Sequence, residues 1–531
     1  MSVTIAPPAP AIDLEKRYRA AVAALVPHPH VTLAPGAQRS THGAVSPLTG
    51  LPGVELPVCT PDDAAHALAT ARTAQRAWEW AGIGFRTQVL TRVHDLVWRY
   101  QNSLLDLIQY ENGKARSDAF EEVADVAMTA HHYARTAASA LRDRRHPGAI
   151  PVLTQTTERR IPKGVVAVIA PWNYPFTLVA SDALAALAAG NTVVLKPDRN
   201  TPMTALAVAE ILWEAGVPRD AFQVVTGSGS ELGGTLISGS DYLMFTGSTA
   251  TGRVVGAEAG EALIGYSAEL GGKNPLVVCD DANLARTVRG AVKACFSNSG
   301  QLCISIERIY VHDGIWDRFV PAFAAAVSAL TVGATLDWDA DMGPLASASQ
   351  LQTVQSHVRD AVEKGTRVLA GGHALPDVSA TAFAPTVLRD VPESATLYAE
   401  ETFGPVVSLY RVSSDEEAVE RANDTEYGLN ASVWTRNTVR GRRIAEQIRC
   451  GTVNVNDGYA AAWASTSAPM GGMGISGLGR RHGVEGITKY TESQTIAVQR
   501  LLGIAAPPGI SEHGWARVMR GYLTARRRLG L

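Results

Sequence analysis

The chain has 531 residues, enough for two or three domains, and at 46% hydrophobic and 19% charged it has the make-up of a globular protein with a large core. A net charge of −3 gives no pull toward nucleic acid or an anionic surface, and no apolar run is long enough to span a bilayer. The five cysteines (Cys59, Cys279, Cys295, Cys303 and Cys450) are scattered and never in C-x-x-C spacing, which argues against a disulfide framework or a cysteine metal site and for free thiols. With no basic n-region or apolar h-region at the start, the expected location is cytoplasmic.

Residues 1–10 carry Pro7, Pro8 and Pro10 and read as a loose arm. Apolar and charged residues mix at helical spacing from Ile12 to Leu25. From Pro61 to Tyr110 the chain reads as long amphipathic helices opening on Pro61-Asp62-Asp63, and another helix runs to Leu141. The pattern then changes. Gly164–Ala170 is a continuous apolar, β-branched run, as in a strand buried on both faces. A helix over Asp182–Ala189, a strand over Thr192–Leu195, a helix over Thr204–Ala215 and a strand over Phe222–Val225 follow, which predicts parallel βαβ units. A second α/β series starts at Pro275-Leu276-Val277-Val278 and runs to Gly451. The basic C-terminus, with Arg517, Arg520, Arg526, Arg527 and Arg528, reads as a solvated tail helix, a peripheral membrane helix being the other reading.

Gly300-Gln301-Leu302-Cys303 holds the one cysteine in a setting suited to chemistry, and upstream lies Glu269-Leu270-Gly271-Gly272-Lys273-Asn274-Pro275. A thiol and a carboxylate, each beside glycine, suggest covalent catalysis on a carbonyl, though a lone cysteine is more often buried filler. Val225-Thr226-Gly227-Ser228-Gly229 and Phe245-Thr246-Gly247-Ser248-Thr249 each follow a predicted strand. Backbone N–H groups there can approach a phosphate at a helix N-terminus, but neither loop is the G-x-G-x-x-G fingerprint, and each alone is more often a turn. Lys196-Pro197-Asp198-Arg199 lies just past a strand end, where ligands of open parallel sheets gather. Asn173, in Pro171-Trp172-Asn173-Tyr174-Pro175, is an amide able to stabilise an oxyanion, or a turn residue between prolines. Glu401-Thr402-Phe403-Gly404-Pro405 joins a carboxylate to an aromatic ring.

The order and spacing of these segments, with Gly451-Thr452-Val453-Asn454-Val455-Asn456 and Pro469-Met470-Gly471-Gly472, resemble the aldehyde dehydrogenase superfamily from about residue 45 to residue 500. The nearest-looking members are the NADP-type succinate-semialdehyde dehydrogenases. The resemblance implies an α/β architecture: a Rossmann-like cofactor domain, an α/β catalytic domain and a small bridging oligomerisation sheet. The expected division is an N-terminal arm and helix over 1–45, a dinucleotide-binding domain over 46–146 and 164–271, and a catalytic domain over 272–472. Oligomerisation strands are expected in 147–163 and 486–500, using Thr154–Ile161 and Thr491–Val498, and a tail over 501–531.

It also implies roles. Cys303 would be the nucleophile, Asn173 and the Cys303 backbone N–H the oxyanion donors, and Glu269 the base that hydrolyses the thioester. Lys196 would meet the adenosine ribose, Ser248 the pyrophosphate, Glu401 the nicotinamide ribose and Phe403 the nicotinamide. Trp172, Gly229, Thr246, Gly247 and Leu270 complete the cofactor set. Arg199 stands where NAD-preferring members often have a glutamate, which favours NADP, with NAD as the alternative. No metal is implied. The partners implied are a small aldehyde and further copies of the chain, as a homodimer or homotetramer, with no nucleic acid and no integral membrane segment. A CoA-acylating relative should lack Glu269, and a non-catalytic one has no need of Cys303 or Glu269.

Four positions depart from the pattern. Members that bind succinate semialdehyde commonly hold its carboxylate with two arginines, and those positions are Ser181 and Ser297 here. A pocket mouth of Tyr174, Leu178, Ile304, Tyr459, Trp463 and Met470 suits an apolar or aromatic aldehyde instead, although such residues are as often plain core. A customary lysine and glutamate are replaced by Asp182 and Arg481, which leads to the expectation of an ion pair with its signs reversed, or else of two independent surface charges.

Overall fold

The computed structural model describes residues 4–6, 10–36, 38–149, 154–500 and 505–530. Its frame is two mainly parallel sheets whose strand ends face one another. In the first sheet the strands lie in the order Gly477–Leu478, Gly265–Glu269, Tyr242–Thr246, Val165–Ile169, Thr192–Lys196 and Phe222–Val224. All pairs are parallel except the edge strand Gly477–Leu478. The Val165–Ile169 and Thr192–Lys196 strands are buried at every residue, which is why they read as unbroken apolar runs.

The second sheet has the order Arg367–Ala370, Thr386–Arg389, Val406–Val412, Ile306–His312, Asn274–Val278, Asn430–Trp434 and Thr452–Val455. Only its first pair is antiparallel. A third, antiparallel sheet pairs Thr491–Gln499 with Thr154–Pro162, Thr491 opposite Pro162, and adds Arg144–Pro147 at its edge.

This layout positions the site. Adjacent parallel strands of the first sheet deliver Glu269, the Thr246–Ser248 turn, Asn173, Lys196 and the Thr226–Ser228 turn in spatial order past their C-terminal ends. From the other side, adjacent strands of the second sheet start just after Gly272, Cys303 and Glu401. The two rows meet at one seam.

Local signals explain most helix limits. Pro61–Trp80 opens on a capping box between Thr60 and Asp63 with Pro61 in the first turn, and Asp63 also pairs with Arg39 at 2.6 Å. Gln101–Asn112 closes on Gly113 at φ 90°.

Several expectations need correction. The helix expected from Asp182 starts at Thr177, because the Glu122 carboxylate, from the distant helix Arg116–Ala140, accepts the N–H groups of Phe176 and Thr177. A cap supplied across the tertiary structure leaves no local signal. The expected loose arm contains a short strand, Thr4–Ile5, paired in parallel with Thr331–Val332, while its residues 1–3 and 7–9 lie outside the described residues. The strand Arg144–Pro147 was not anticipated and falls across the boundary expected at 146. Residues 150–153 of the expected 147–163 segment, and 501–504 and 531 of the tail, are also outside the described residues. The rest of the tail forms the helix Glu512–Arg528, with no buried residue.

Candidate active site

Cys303 follows a backbone run that few sequences tolerate. Asn298, Ser299 and Gly300 are all left-handed, with φ of 49°, 56° and 71°. The neighbours hold them there. The Asn298 N–H donates to Asp118 Oδ2 at 2.8 Å, its amide donates to the carbonyls of Asn173 and Gln301, and Ser299 Oγ donates to Gly343 O at 2.7 Å. A Cβ at Gly300 would enter the Gly404 carbonyl. Past the turn, Asn274 Nδ2 donates to Cys303 O at 2.7 Å.

The glycines of the Glu269 motif have the same use. A side chain on Gly271 would strike the Glu401 carboxylate, and one on Gly272 the Cys303 carbonyl. Lys273 pairs with Glu307 inside the protein, and Glu307 accepts the N–H groups of Thr402 and Phe403. The Gly272 N–H donates to Glu401 Oε1 at 2.8 Å. One chain of bonds thus sets Glu269, Cys303, Glu401 and Phe403 relative to each other.

Asn173 is fixed from a third direction. Its side-chain Nδ2 donates to Gln301 O at 3.1 Å, and its own carbonyl accepts from Asn112, Asn298 and Lys114. Lys114 is fully buried, pairs with Glu122 at 2.6 Å and lies 3.7 Å from the centre of the Tyr174 ring. Burial pushes the Glu122 carboxyl up and the Lys114 ammonium down, each offset by the other's charge.

Cys303 and Asn173 line two chambers at once. One is walled by Tyr174, Leu178, Ile304, Tyr459, Trp463 and Met470, with Glu121, Asp125, Ser181 and His482 among its polar members. All six residues expected at the pocket mouth are therefore in this wall. The other chamber carries Trp172, Thr246, Gly247, Ser248, Glu269, Leu270, Glu401 and Phe403. Trp172 and Phe403 meet edge to face there, 5.6 Å between centroids. Ser248 caps the helix Thr249–Glu261 that points into it.

A third cleft lies along the first sheet and is lined by Arg199, Asp198, Gly227, Ser228 and His42. Arg199 is exposed and has no side-chain partner among the described residues. Lys196 and Gly229 do not line this cleft themselves. Lys196 is buried next to it with a single bond, to Pro197 O at 3.0 Å, and Gly229 is the first residue of the helix behind Ser228.

Three titratable groups at the seam, Cys303, Glu269 and Glu401, are displaced. Burial, then the Glu269 and Glu401 carboxylates, push the Cys303 thiol up to about 12. Burial raises Glu269 to about 7, and its Oε1 has no partner. Glu401 is raised to about 8 by burial and by Glu307.

Asp182 and Arg481 do pair: Arg481 Nη2 lies 2.7 Å from Asp182 Oδ2 and also donates to Thr246 Oγ1 at 2.6 Å. Both side chains are buried, with Lys489 at 3.6 Å and the Tyr490 hydroxyl at 3.3 Å on Asp182 Oδ1. Burial opposes the Asp182 charge, but Arg481 and Lys489 outweigh it and hold the carboxyl below its ordinary range. The alternative of two independent surface charges is excluded by this geometry.

Comparison with known proteins agrees with this arrangement. The pattern of the aldehyde dehydrogenase family matches residues 34–496. The chain belongs to the aldehyde dehydrogenase family. A Mycolicibacterium smegmatis relative, named as a candidate succinate-semialdehyde dehydrogenase [NADP(+)], is 50% identical over 481 residues, covering 91% of this chain and 93% of its own. An Escherichia coli structure described as an NADP-dependent enzyme superposes with a TM-score of 0.84 at 34% identity, covering 89% of this chain and 98% of its own. PnpE of Pseudomonas sp. WBC-3, solved with nicotinamide adenine dinucleotide, gives 0.84 at 35% identity, with 88% and 96% covered.

The family motifs did not reveal Lys114, Glu121, Glu122, Asp125 or Glu307. The first four lie just before or within the helix Arg116–Ala140, whose acids Asp118, Glu122 and Asp125 are fully buried. Carboxylates clustered on a helix that otherwise reads as core were the available signal.

Two outcomes are expected. Asp182→Ala and Arg481→Ala should each strand a buried charge and lower stability by about 3–5 kcal/mol, while the double variant loses less than their sum. Thermal unfolding of the four proteins measures this, and additive losses would show that the pair is not coupled. Second, a carboxyl raised to about 7 can accept a proton only when ionised, so turnover that uses Glu269 as a base should rise as pH passes about 7 and fall below it. Glu269→Gln should remove that inflection from the pH–rate profile.

Proposed function

We propose that the chain oxidises an aldehyde to a carboxylic acid with NADP, through a covalent intermediate on Cys303. The observation that carries this reading is the position of Cys303 at the junction of an aromatic chamber and a chamber containing Glu269, Glu401 and a helix N-terminus. The aldehyde enters by the aromatic side. The Cys303 sulfur attacks its carbonyl carbon, the thiol proton leaves to a carboxylate, and the oxygen becomes the oxyanion of a thiohemiacetal. The Asn173 amide and the Cys303 N–H face that charge. NADP, when bound, supplies the hydride acceptor, and a Cys303 thioester remains. The carboxylate that took the thiol proton returns it to solvent; Glu269 then takes a proton from water, the hydroxide attacks the thioester carbon, and the Cys303 thiolate leaves and recovers that proton from Glu269 as the acid is released.

The residues present suit the cofactor. Lys196 is a buried ammonium with one backbone partner, Arg199 is a guanidinium with none, and Ser248 heads an open helix N-terminus. Glu401 and Phe403 would take the nicotinamide riboside end. NADP is favoured by Arg199 and is the cofactor named for the mycobacterial relative. That relative's name also carries succinate semialdehyde, but here Ser181 and Ser297 stand where the carboxylate-binding arginines would be.

We assign the sheet of Arg144–Pro147, Thr154–Pro162 and Thr491–Gln499 to contact between copies in a homodimer or homotetramer. Its outer strand is exposed almost throughout, including Ile496 and Val498. A cytoplasmic location fits the five free thiols. No helix among the described residues is long and apolar enough to cross a membrane.

Cys303→Ala should abolish NADPH formation from any aldehyde; retained turnover would sink the covalent route. Glu269→Gln should allow a single-turnover burst of NADPH and then stall at the thioester, visible by rapid mixing and by intact-protein mass. For cofactor choice, Arg199→Glu should weaken NADP by about tenfold or more relative to NAD, since a charge-assisted bond contributes roughly 1.5–3 kcal/mol. The kcat/KM ratio for the two cofactors measures this, and equal efficiency in the unmodified enzyme refutes it.

A further inference from the structure

We infer that the aromatic chamber selects aldehydes whose far end donates a hydrogen bond, as an ammonium or a hydroxyl, and rejects those that end in a carboxylate. This rests on the aldehyde-oxidising role proposed above and narrows its substrate class.

Glu121 and Asp125 lie one turn apart on the helix Arg116–Ala140, so both face one side, and both line the chamber. Glu121 already has partners: Lys293 Nζ at 2.9 Å on one oxygen and the Tyr459 hydroxyl at 3.0 Å on the other. Asp125 is fully buried; its Oδ2 accepts from Ser181 Oγ at 3.0 Å, and its Oδ1 has no hydrogen-bond partner among the described residues. Two more polar atoms of the lining are buried without partners, the Tyr174 hydroxyl and His482 Nδ1. His482 is also held at φ 60°, a backbone state that non-glycine residues seldom adopt. Buried polar atoms are almost always satisfied, so three unmet atoms around one chamber mark where a ligand's polar end belongs.

The same chamber offers a carboxylate no free cation, only the Tyr174 hydroxyl and, in one tautomer, His482 Nδ1 as neutral donors. Arg481 is the one guanidinium in its lining, and it is engaged by Asp182 and Thr246. Ser181 gives its hydrogen to Asp125, and Ser297 gives its own to the Lys293 carbonyl at 2.8 Å. A carboxylate tail would lose water next to Glu121 and Asp125 with no free cation to replace it. A donor tail instead finds Asp125 Oδ1, and an ammonium also meets the ring faces of Tyr459 and Trp463.

The test compares tails on a constant aldehyde. With the full-length enzyme and NADP, kcat/KM is measured for propanal, 3-aminopropanal and 3-hydroxypropanal, and for butanal and succinate semialdehyde. At least one donor-tailed substrate should exceed propanal by about tenfold or more, the value of one charge-assisted bond. The two arms show whether ammonium or hydroxyl is preferred. Succinate semialdehyde should be no better than butanal. Succinate semialdehyde above butanal, or neither donor tail above propanal, overturns the inference. Failure to oxidise any of the five counts against aldehyde oxidation itself, whereas turnover without a tail preference counts against the inference alone. Asp125→Leu removes the free acceptor at similar volume and should bring the donor-to-propanal ratio toward one; an unchanged ratio rules Asp125 out as the acceptor. The comparison in the unmodified enzyme stands whether or not this variant folds.

Discussion

Everything around Cys303 depends on charges being paired in the dry seam between the two parallel sheets. An unpaired charge cannot be kept there cheaply, so three ion pairs stand in the seam and each fixes a loop, while Glu269, which has no ion-pair partner among the described residues, is raised to about 7. Lys114–Glu122 fixes the Asn173 loop and the start of the helix at Thr177. Lys273–Glu307 fixes the segment of Glu401 and Phe403 against that of Glu269. Asp182–Arg481 ties the floor of the site to Thr246. These pairs are weak evidence for stability, because apolar packing could replace them. Their use here is positional, since a pair with fixed bonds allows one loop geometry where an apolar contact allows several.

The two sheets explain why the reactive groups come from so many places in the chain. Parallel strands put all their C-terminal ends on one edge, so loops distant in sequence become neighbours. Asn173, Thr246 and Glu269 follow three adjacent strands of one sheet, while Cys303 and Glu401 precede two adjacent strands of the other. Positions in the centre of this seam are where a side chain must be absent. Gly271, Gly272 and Gly300 each face a functional or backbone atom that a Cβ would displace.

Much of this was legible in the sequence. Buried strands announce themselves by continuous apolar runs, and glycine beside Cys303 and Glu269 by the close approach it permits. The reversed pair was legible too, because two inversions at positions expected to face each other remain complementary. What sequence alone hid was long-range. The helix start at Thr177 is set by Glu122, and the loop before Cys303 by Asp118, partners that periodicity and capping patterns do not reach. The acids Glu121 and Asp125 were hidden for the opposite reason. On a surface helix they would be ordinary solvated charges, and only burial against the chamber gives them meaning.

The titration pattern at the seam follows from the same dryness and bears on where charge sits through the proposed reaction. Burial and the Glu269 carboxylate raise the cost of ionising Cys303, because both groups would be negative in one low-dielectric space, while Glu269 is itself raised by burial. The thiol is therefore neutral at rest and attack requires its proton to leave. Transfer of that proton to a nearby carboxylate, together with attack on the aldehyde, moves one negative charge onto the thiohemiacetal oxygen and adds none to the seam. Once the sulfur is bound as a thioester it cannot ionise, so the Glu269 carboxylate no longer stands beside a group that could become a second anion. The proposed hydrolysis then asks only that Glu269, raised to about 7 by burial, be ionised when water is activated.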